Sequence, residues 1–431
     1  MKWEDIYRRK VTSADAAVAC IQSGNRIYLG GGAGVPSVLI DALVRRADKL
    51  RQVEITHILT FAPASYVAPE YSDAFRVNAL FIGNNVRQAV QQGRADFTPV
   101  FLSEIPGLFR NGALPIDVAL ISLSPPDEHG FCSFGVEVGT TKPAAESARL
   151  IVAEINRQMP RCLGDSFIHV SRLNYIVDVD YPLPEAPQGG SSDLHMQVGQ
   201  HIAGMIPNGA TLQMGIGSIP DAVLKNLTHH KDLGIHTELF SDGIIEAVES
   251  GIITCAQKNF HPGKMIVGFL FGTKRLYEFV DNNPILELHP TDYVNDPFNI
   301  ARNDKMVAIN AALQVDLTGQ VCADSIGPKF YSGAGGQVDF IRGSARSKGG
   351  KPIIACLSTA RNDTLSRIVP MLDQGAGVVT TRNDVHYVVT EYGVATLYGK
   401  TVRQRAQELI RVAHPKFQEE LTHSAKKLGY L

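Results

Sequence analysis

The amino-acid sequence predicts an α/β protein built as two tandem, similar α/β domains with mostly parallel sheets. Three observations carry this. Short apolar or β-branched runs alternate with helical patterns along the whole chain, one strand–glycine loop–helix unit occurs twice, and a proline- and glycine-rich stretch separates the two copies. The runs at 53–58, 118–123, 175–179, 306–309, 352–356 and 385–390 read as strands, and 37–47, 144–158, 192–205 and 402–412 read as helices. Strands that alternate with helices in this way form a parallel sheet covered on both faces.

The repeat is specific in its order of residues. Gly24-Asn-Arg-Ile-Tyr-Leu-Gly30 leads through Gly-Gly-Ala-Gly to Val35-Pro36 and an amphipathic run, and Gly209-Ala-Thr-Leu-Gln-Met-Gly215 leads through Ile-Gly-Ser-Ile to Pro220 and another. Each is a turn, a short strand, a glycine loop, a proline near a helix start, and a helix. A looser echo pairs 123–135 with 315–327, both placing an acidic residue before a later glycine. A repeat spacing of roughly 185–190 residues is too long for a solenoid and fits tandem domains. Between the copies, Tyr181-Pro-Leu-Pro-Glu-Ala-Pro-Gln-Gly-Gly-Ser-Ser-Asp193 can continue neither strand nor helix. It sets the expected boundary near residue 190, giving domains 1–190 and 191–431.

Composition narrows the function classes. A chain of 431 residues exceeds what one hydrophobic core serves. With 44% apolar and 19% charged residues and a net charge of −2, nothing calls for a nucleic-acid or membrane partner. The six cysteines are scattered without a C-x-x-C pair, as expected of reduced thiols in a reducing, cytoplasmic compartment. The start, Met1-Lys-Trp-Glu-Asp-Ile-Tyr-Arg-Arg-Lys10, is not a secretory signal. No run of about 18 apolar residues occurs to span a bilayer. The thirteen histidines include no H-E-x-x-H and no Cys/His set with zinc spacing, so no metal is expected. Neither a G-x-S-x-G elbow nor a G-x-x-x-x-G-K-[ST] loop is present, which leaves a serine hydrolase and a P-loop enzyme unsupported.

Four motifs remain. The two glycine loops, Gly30-x-Gly32 and Gly215-x-Gly217, can offer backbone N–H groups to an anion, or can be tight turns without a ligand. Both lack the third glycine of the dinucleotide fingerprint, although Glu238 lies 23 residues after Gly215, near the spacing of a ribose-binding acid. A dinucleotide-binding protein is therefore the rival from a different class. Glu238 itself, in Ile235-His-Thr-Glu-Leu-Phe-Ser-Asp-Gly243, falls at a strand end, where α/β proteins bind ligands. Tyr331-Ser-Gly-Ala-Gly-Gly-Gln337 leaves amides open for an oxyanion hole or makes a surface turn. Arg342, Arg346, Lys348 and Lys351 follow, suited to phosphate or to a solvated face. Thr390-Glu-Tyr-Gly-Val394 precedes Thr401 and Gln404, which form a helix capping box.

Together, Gly215-Ile-Gly-Ser-Ile-Pro-Asp-Ala-Val223, Thr237-Glu-Leu-Phe-Ser-Asp-Gly243 and Gly335-Gly-Gln-Val-Asp-Phe340 resemble the acetyl-CoA hydrolase/transferase family of class I CoA-transferases. Gly93-Arg-Ala-Asp-Phe-Thr-Pro99, Ser124-Pro-Pro-Asp-Glu-His-Gly130 and Thr390-Glu-Tyr-Gly-Val394 fit the same family, so the likeness runs in order over nearly the whole chain. The resemblance implies the CoA-transferase family I fold with an active site in the interdomain cleft. It implies coenzyme A thioesters as substrates, no metal, and a homodimer or higher homo-oligomer. By the same resemblance the glutamate nucleophile falls on Glu238, and the CoA-binding loop on Gly215, Ile216, Gly217, Ser218, Ile219 and Pro220. A further CoA contact falls on Leu313, and the glycine assisting the oxyanion, also a CoA contact, on Gly336. Asn295 is matched to a residue that polarises the thioester carbonyl and Arg361 to one that contacts CoA, although relatives carry Lys there. The branch it most resembles moves CoA from acetyl-CoA or butyryl-CoA to 4-hydroxybutyrate, acetate or butyrate by ping-pong chemistry through a glutamyl-CoA thioester. An acyl-CoA hydrolase using the same Glu238 is the alternative within the family.

Overall fold

The computed structural model describes residues 2–187 and 189–431; Gln188, inside the expected linker, lies outside the described residues. The chain divides into two compact units, Met1–Pro187 with Ile266–Val294, and Gln188–Met265 with Asn295–Leu431. The chain thus returns to the first unit once, a path that a single boundary near residue 190 does not describe.

The first unit holds a sheet of seven strands, all paired in parallel. Arg26–Leu29 lies within it. Val53–His57, Phe75–Ala79 and Asp96–Phe97 step outward on one side, and Val118–Leu123, Leu150–Asn156 and Tyr175–Val179 on the other. Val118–Leu123 is buried at every position because both faces of the sheet are covered.

Within the second unit, Thr211–Met214 takes the equivalent place. Gly234–Phe240 pairs on one side, and Met306–Ala311, Lys351–Ala355 and Tyr387–Thr390 follow in parallel on the other, closed by the antiparallel strand Gly393–Thr396. The two copies of the repeat therefore occupy the same position in two sheets. Each starts a sheet whose strand order reverses beside it, and α/β proteins bind ligands outside the carboxyl ends of strands at such a reversal.

One expectation fails. Residues 144–158 are not one helix: the helix Thr141–Ser147 ends and Leu150–Asn156 is a strand buried at nearly every position. Its run Leu-Ile-Val-Ala satisfies a helical period, but parallel pairing with Val118–Leu123 and Tyr175–Val179 decides the outcome. The looser echo holds with a shift of three residues: Asp127 and Asp316 each accept at Oδ1 from the N–H groups two and four residues on, and each donates its own N–H to the carbonyl four residues on. Leu29 pairs with Leu120 and Met214 with Ile309, so the counterpart of Leu123 is Ala312, three residues short of Val315. The capping box of Thr401 and Gln404 on helix Val402–Val412 is present as expected, and Ser192 with His195 caps Asp193–Ala203 likewise.

Helix Asp193–Ala203 packs on helix Ser218–Lys225 at Gly199, where a Cβ would lie 2.6 Å from the backbone carbon of Ala222. That clash is with backbone and cannot be relieved by a rotamer. Gly199→Ala should therefore lower stability by about 1–3 kcal/mol, read as a drop in thermal unfolding temperature relative to an exposed control such as Gly204→Ala.

Candidate active site

The site assembles at the carboxyl edge of the second unit's sheet, where three neighbouring strands end. Thr211–Met214 runs into the glycine loop, Gly234–Phe240 carries Glu238, and Met306–Ala311 leads to Leu313. Thr237 ties the first two ends together. Its hydroxyl lies 3.0 Å from the Met214 carbonyl oxygen and accepts from Met214 N–H at 3.3 Å. On the other side the Gln213 side-chain oxygen accepts from Ile309 N–H and from the Asn310 amide, each at 3.1 Å. Gly215 therefore leaves the sheet from a point fixed on both flanks.

Glu238 meets two further groups of the same unit. The Asn295 side-chain amide donates to Glu238 Oε2 at 3.0 Å, and the Gly336 backbone N–H also donates to the carboxylate. Asn295 is fully buried, and its own Oδ1 has no partner among the described residues. Gly336 begins the helix Gln337–Arg346, which Gln337 anchors by donating to the Ala311 carbonyl at 2.7 Å and accepting from Thr380 at 2.9 Å. A Cβ at residue 336 would overlap both Glu238 Oε2 and Asn295 Nδ2. Only glycine lets the helix start approach this carboxylate.

Glu238 keeps intermediate exposure as a residue, between the buried Thr237 and Leu239. Its carboxyl group is nevertheless walled in. That burial pushes its pKa up to about 7, and the bonds from Asn295 and Gly336 recover only part of the rise. Neither donor is a cation. The group is a desolvated carboxylate held by two neutral donors, which is chemically a nucleophile kept short of solvation.

The two glycine loops have diverged. Residues 30–36 are all buried. In the second copy Ile216 is 44% exposed, Gly217 has φ +115°, and no atom lies within 4 Å of a Cβ built at Gly215 or Gly217. The second loop alone is open to a ligand.

Of the residues singled out in the sequence, Glu238, Asn295 and Gly336 are in direct contact, and 215–220 is fastened beside them through Thr237. Leu313 sits just past its strand, its N–H bonded to Cys322 O at 2.8 Å. Arg361 lies further along the chain, exposed, in a turn where Arg361, Asn362 and Asp363 all have positive φ. No hydrogen bond joins it to Glu238 among the described residues. The basic stretch at 342–351 belongs to the opposite edge: Lys351 opens its strand and donates to Met205 O at 2.5 Å, and Arg342 pairs with Asp384 at 3.4 Å. It is a structural and solvated face. Sequence reading missed the service of Glu391, which accepts from Ser358 N–H at 2.8 Å and from its hydroxyl at 2.6 Å, fixing the turn that leads to Arg361. Its only signal was its place after Thr390 at a strand end.

Two α/β units, each with a mostly parallel sheet, and a glutamate with a walled-in carboxyl group beside an open glycine loop define a ligand-binding α/β protein with a reactive carboxylate. The chain matches the acetyl-CoA hydrolase/transferase N-terminal domain over residues 1–184 and the C-terminal domain of the same family over residues 272–425. It is 53% identical to the 4-hydroxybutyrate coenzyme A transferase of Clostridium kluyveri over 99% of this chain and 100% of that one. It is 37% identical to the butyryl-CoA:acetate CoA-transferase of Anaerostipes caccae over 99% and 98%. Its fold superposes on the crystal structure of the 4-hydroxybutyrate CoA-transferase of Porphyromonas gingivalis with a TM-score of 0.86, at 43% identity, covering 99% of this chain and 100% of that one. The chain belongs to the acetyl-CoA hydrolase/transferase family, and the dinucleotide-binding reading is set aside.

Two outcomes test this geometry. Gly336→Ala should fold, because φ −93° suits alanine, yet displace Glu238 and Asn295; kcat/KM for acyl-CoA should fall ~10²-fold or more with an unchanged circular dichroism spectrum. Because the folded pKa of Glu238 lies above its unfolded value, its stabilising contribution is present at low pH and lost as pH rises through about 7. Glu238→Gln should therefore gain in unfolding temperature over the wild type as pH increases from 5 to 8.

Proposed function

We propose that the protein is a CoA-transferase that moves CoA between a short-chain acyl-CoA, such as acetyl-CoA or butyryl-CoA, and a short carboxylic acid, such as 4-hydroxybutyrate, acetate or butyrate. The observation that carries this reading is the buried Glu238 carboxylate with Asn295 and Gly336 as its donors. The names of the relatives support the substrate class.

Glu238 attacks the carbonyl carbon of the donor thioester, and the C–S bond breaks to give an acyl-glutamyl anhydride and CoA thiolate. The thiolate attacks the glutamyl carbonyl of the anhydride, forming the glutamyl-CoA thioester and releasing the first acid as its carboxylate. The acceptor carboxylate then attacks that thioester, and the same two steps run in reverse to give the new acyl-CoA and free Glu238. A carboxylate is needed because its anhydride and thioester both retain group-transfer potential. Asn295 Nδ2 and Gly336 N–H are the donors to the oxyanions that develop on the glutamyl and thioester carbonyls. CoA lies along the open loop Gly215-Ile216-Gly217-Ser218-Ile219-Pro220, with Leu313, Gly336 and Arg361 as further contacts. Binding energy from this remote part of the substrate lowers the barrier at the thioester. The same reading makes the chain a homo-oligomer of the cytoplasm, consistent with six cysteines that are all free thiols. An acyl-CoA hydrolase would share every step up to the glutamyl thioester and then use water.

Incubation with butyryl-CoA followed by peptide mass spectrometry should reveal an acyl- or CoA-derived adduct on the peptide carrying Glu238, absent in Glu238→Gln. Transfer to added acetate or 4-hydroxybutyrate in excess of free-acid formation marks the transferase; CoA release that ignores the acceptor marks the hydrolase. An unmodified Glu238 overturns both. Asn295→Ala should lower kcat by ~10²–10³ while leaving the Glu238 peptide reactive at a slower rate. Since only the ionised carboxylate attacks, kcat/KM should rise with pH and level off above about 7.

A further inference from the structure

The two copies of the repeat differ at three positions that strand register makes equivalent. Ile27 pairs with Ile55 and Leu29 with Leu120 in the first sheet; Leu212 pairs with Ile235 and Met214 with Ile309 in the second. Counted from those pairs, Gln213, Glu238 and Asn310 take the places of Tyr28, Ile58 and Ile121. The first copy thus holds a tyrosine and two isoleucines there, none more than 4% exposed. The copy with the open loop holds a glutamate and two side-chain amides instead. The amides belong to the site and not to the fold, since the equivalent strands pack without them.

Alternation along the strands puts these three side chains on one face of the second sheet. The same register sets Glu238, Gly215 and Asn310 level on three neighbouring strands. Gly215 has no side chain, and a Cβ built there meets no atom within 4 Å. An open slot two strand spacings wide, roughly 10 Å between Cα positions, therefore separates the carboxylate from Asn310. One backbone group decides how Asn310 is turned. The Ile309 N–H can only donate, so the Gln213 atom it meets at 3.1 Å is the side-chain oxygen. That oxygen also meets the Asn310 amide at 3.1 Å, and Asn310 must therefore offer its NH2. Gln213 is 5% exposed, and reversing its amide would set an NH2 against the Ile309 N–H. Asn310 itself is half-buried, and its Oδ1, left as a free acceptor, has no partner among the described residues.

An acyl-CoA carries one donor at the right reach whatever its acyl group. The first amide N–H of the pantetheine arm is four bonds from the thioester carbon, roughly 5 Å when extended. With an attack distance of about 3 Å at Glu238 and a hydrogen bond of about 3 Å at Asn310, that span fills the slot. We propose that Asn310, oriented by Gln213, accepts the N–H of this amide and so fixes where the thioester stops relative to Glu238. The inference rests on the CoA-transferase reading and adds to it a contact that reads the thiol arm and not the acid.

The test sets two short thioesters in competition with butyryl-CoA during turnover by the full chain. One is S-butyryl-N-acetylcysteamine, which carries this amide; the other is S-butyryl-2-acetoxyethanethiol, in which oxygen replaces its N–H. The wild type should bind the amide compound ~10-fold more tightly, since it alone can donate, and Asn310→Leu should treat the two alike. Gln213→Met, which removes the oxygen that orients Asn310, should lower the preference as well. In Asn310→Leu, kcat/KM for acetyl-CoA and for butyryl-CoA should fall by one common factor of ~10, with the preference between 4-hydroxybutyrate and butyrate as acceptors unmoved. Equal potency of the two thioesters in the wild type overturns the proposal. So does a variant that loses activity but keeps the amide preference, which would reduce Asn310 to a structural role. A lost acceptor preference with both donors unaffected also overturns it, by assigning Asn310 to the hydroxyl of the acid. If the leucine variant does not fold, Asn310→Ala decides by the same ratio. Turnover by the wild type keeps the two claims apart: without it the CoA-transferase reading falls, and with it only the role of Asn310 is at stake.

Discussion

Everything at the candidate site depends on keeping one carboxylate out of water without giving it a cation. Glu238 receives one side-chain amide and one backbone N–H, and burial outweighs both. A charged partner such as arginine would have lowered its pKa and its reactivity together. Neutral donors hold the group in place and leave it basic enough to attack a thioester carbonyl. The cost falls on folding, since a buried carboxylate disfavours its ionised form, and that is the usual relation between an active group and the stability of its scaffold.

The scaffold meets this need through its topology. Parallel strands all end at one edge, so three chain segments distant in sequence deliver a glycine loop, a glutamate and a helix start to the same place. Thr237 and Gln213 bond the ends of neighbouring strands together, and Gln337 bonds the helix start to the third strand. Gly336 is required by distance, because a single methyl group there would occupy the space of the Glu238–Asn295 bond. A constraint of packing and a constraint of chemistry meet at that atom.

Duplication explains why the molecule has two such edges, and burial explains why they differ. In the first unit the loop is enclosed and the N–H groups of Gly30, Gly32 and Gly34 are taken by backbone carbonyls; in the second the loop stays open beside Glu238. Two units whose repeated strand takes the equivalent place in its sheet have thus been given different uses by a few residues on their loops, in keeping with the rule that function is carried by sites grafted on folds.

Much of this was legible in the amino-acid sequence. The alternation of strands and helices, the repeat at Gly24–Gly30 and Gly209–Gly215, and the capping box at Thr401 are local patterns, and local patterns are governed by interactions within a few residues. Glu238 and its neighbours were legible because a strand end next to a glycine loop is itself a short-range signal. What only the tertiary structure decided are matters of long-range packing. Whether 150–156 is a strand or the end of a helix depends on partners some thirty residues before and twenty after it in the chain, and pairing prevails over a helical period. That Gly336 and Asn295 touch the carboxylate, that Glu391 holds Ser358, and that one glycine loop is open while its copy is buried all follow from residues far apart in sequence arriving at one point. No periodicity or propensity encodes such meetings, because they arise when the sheet brings its strand ends together.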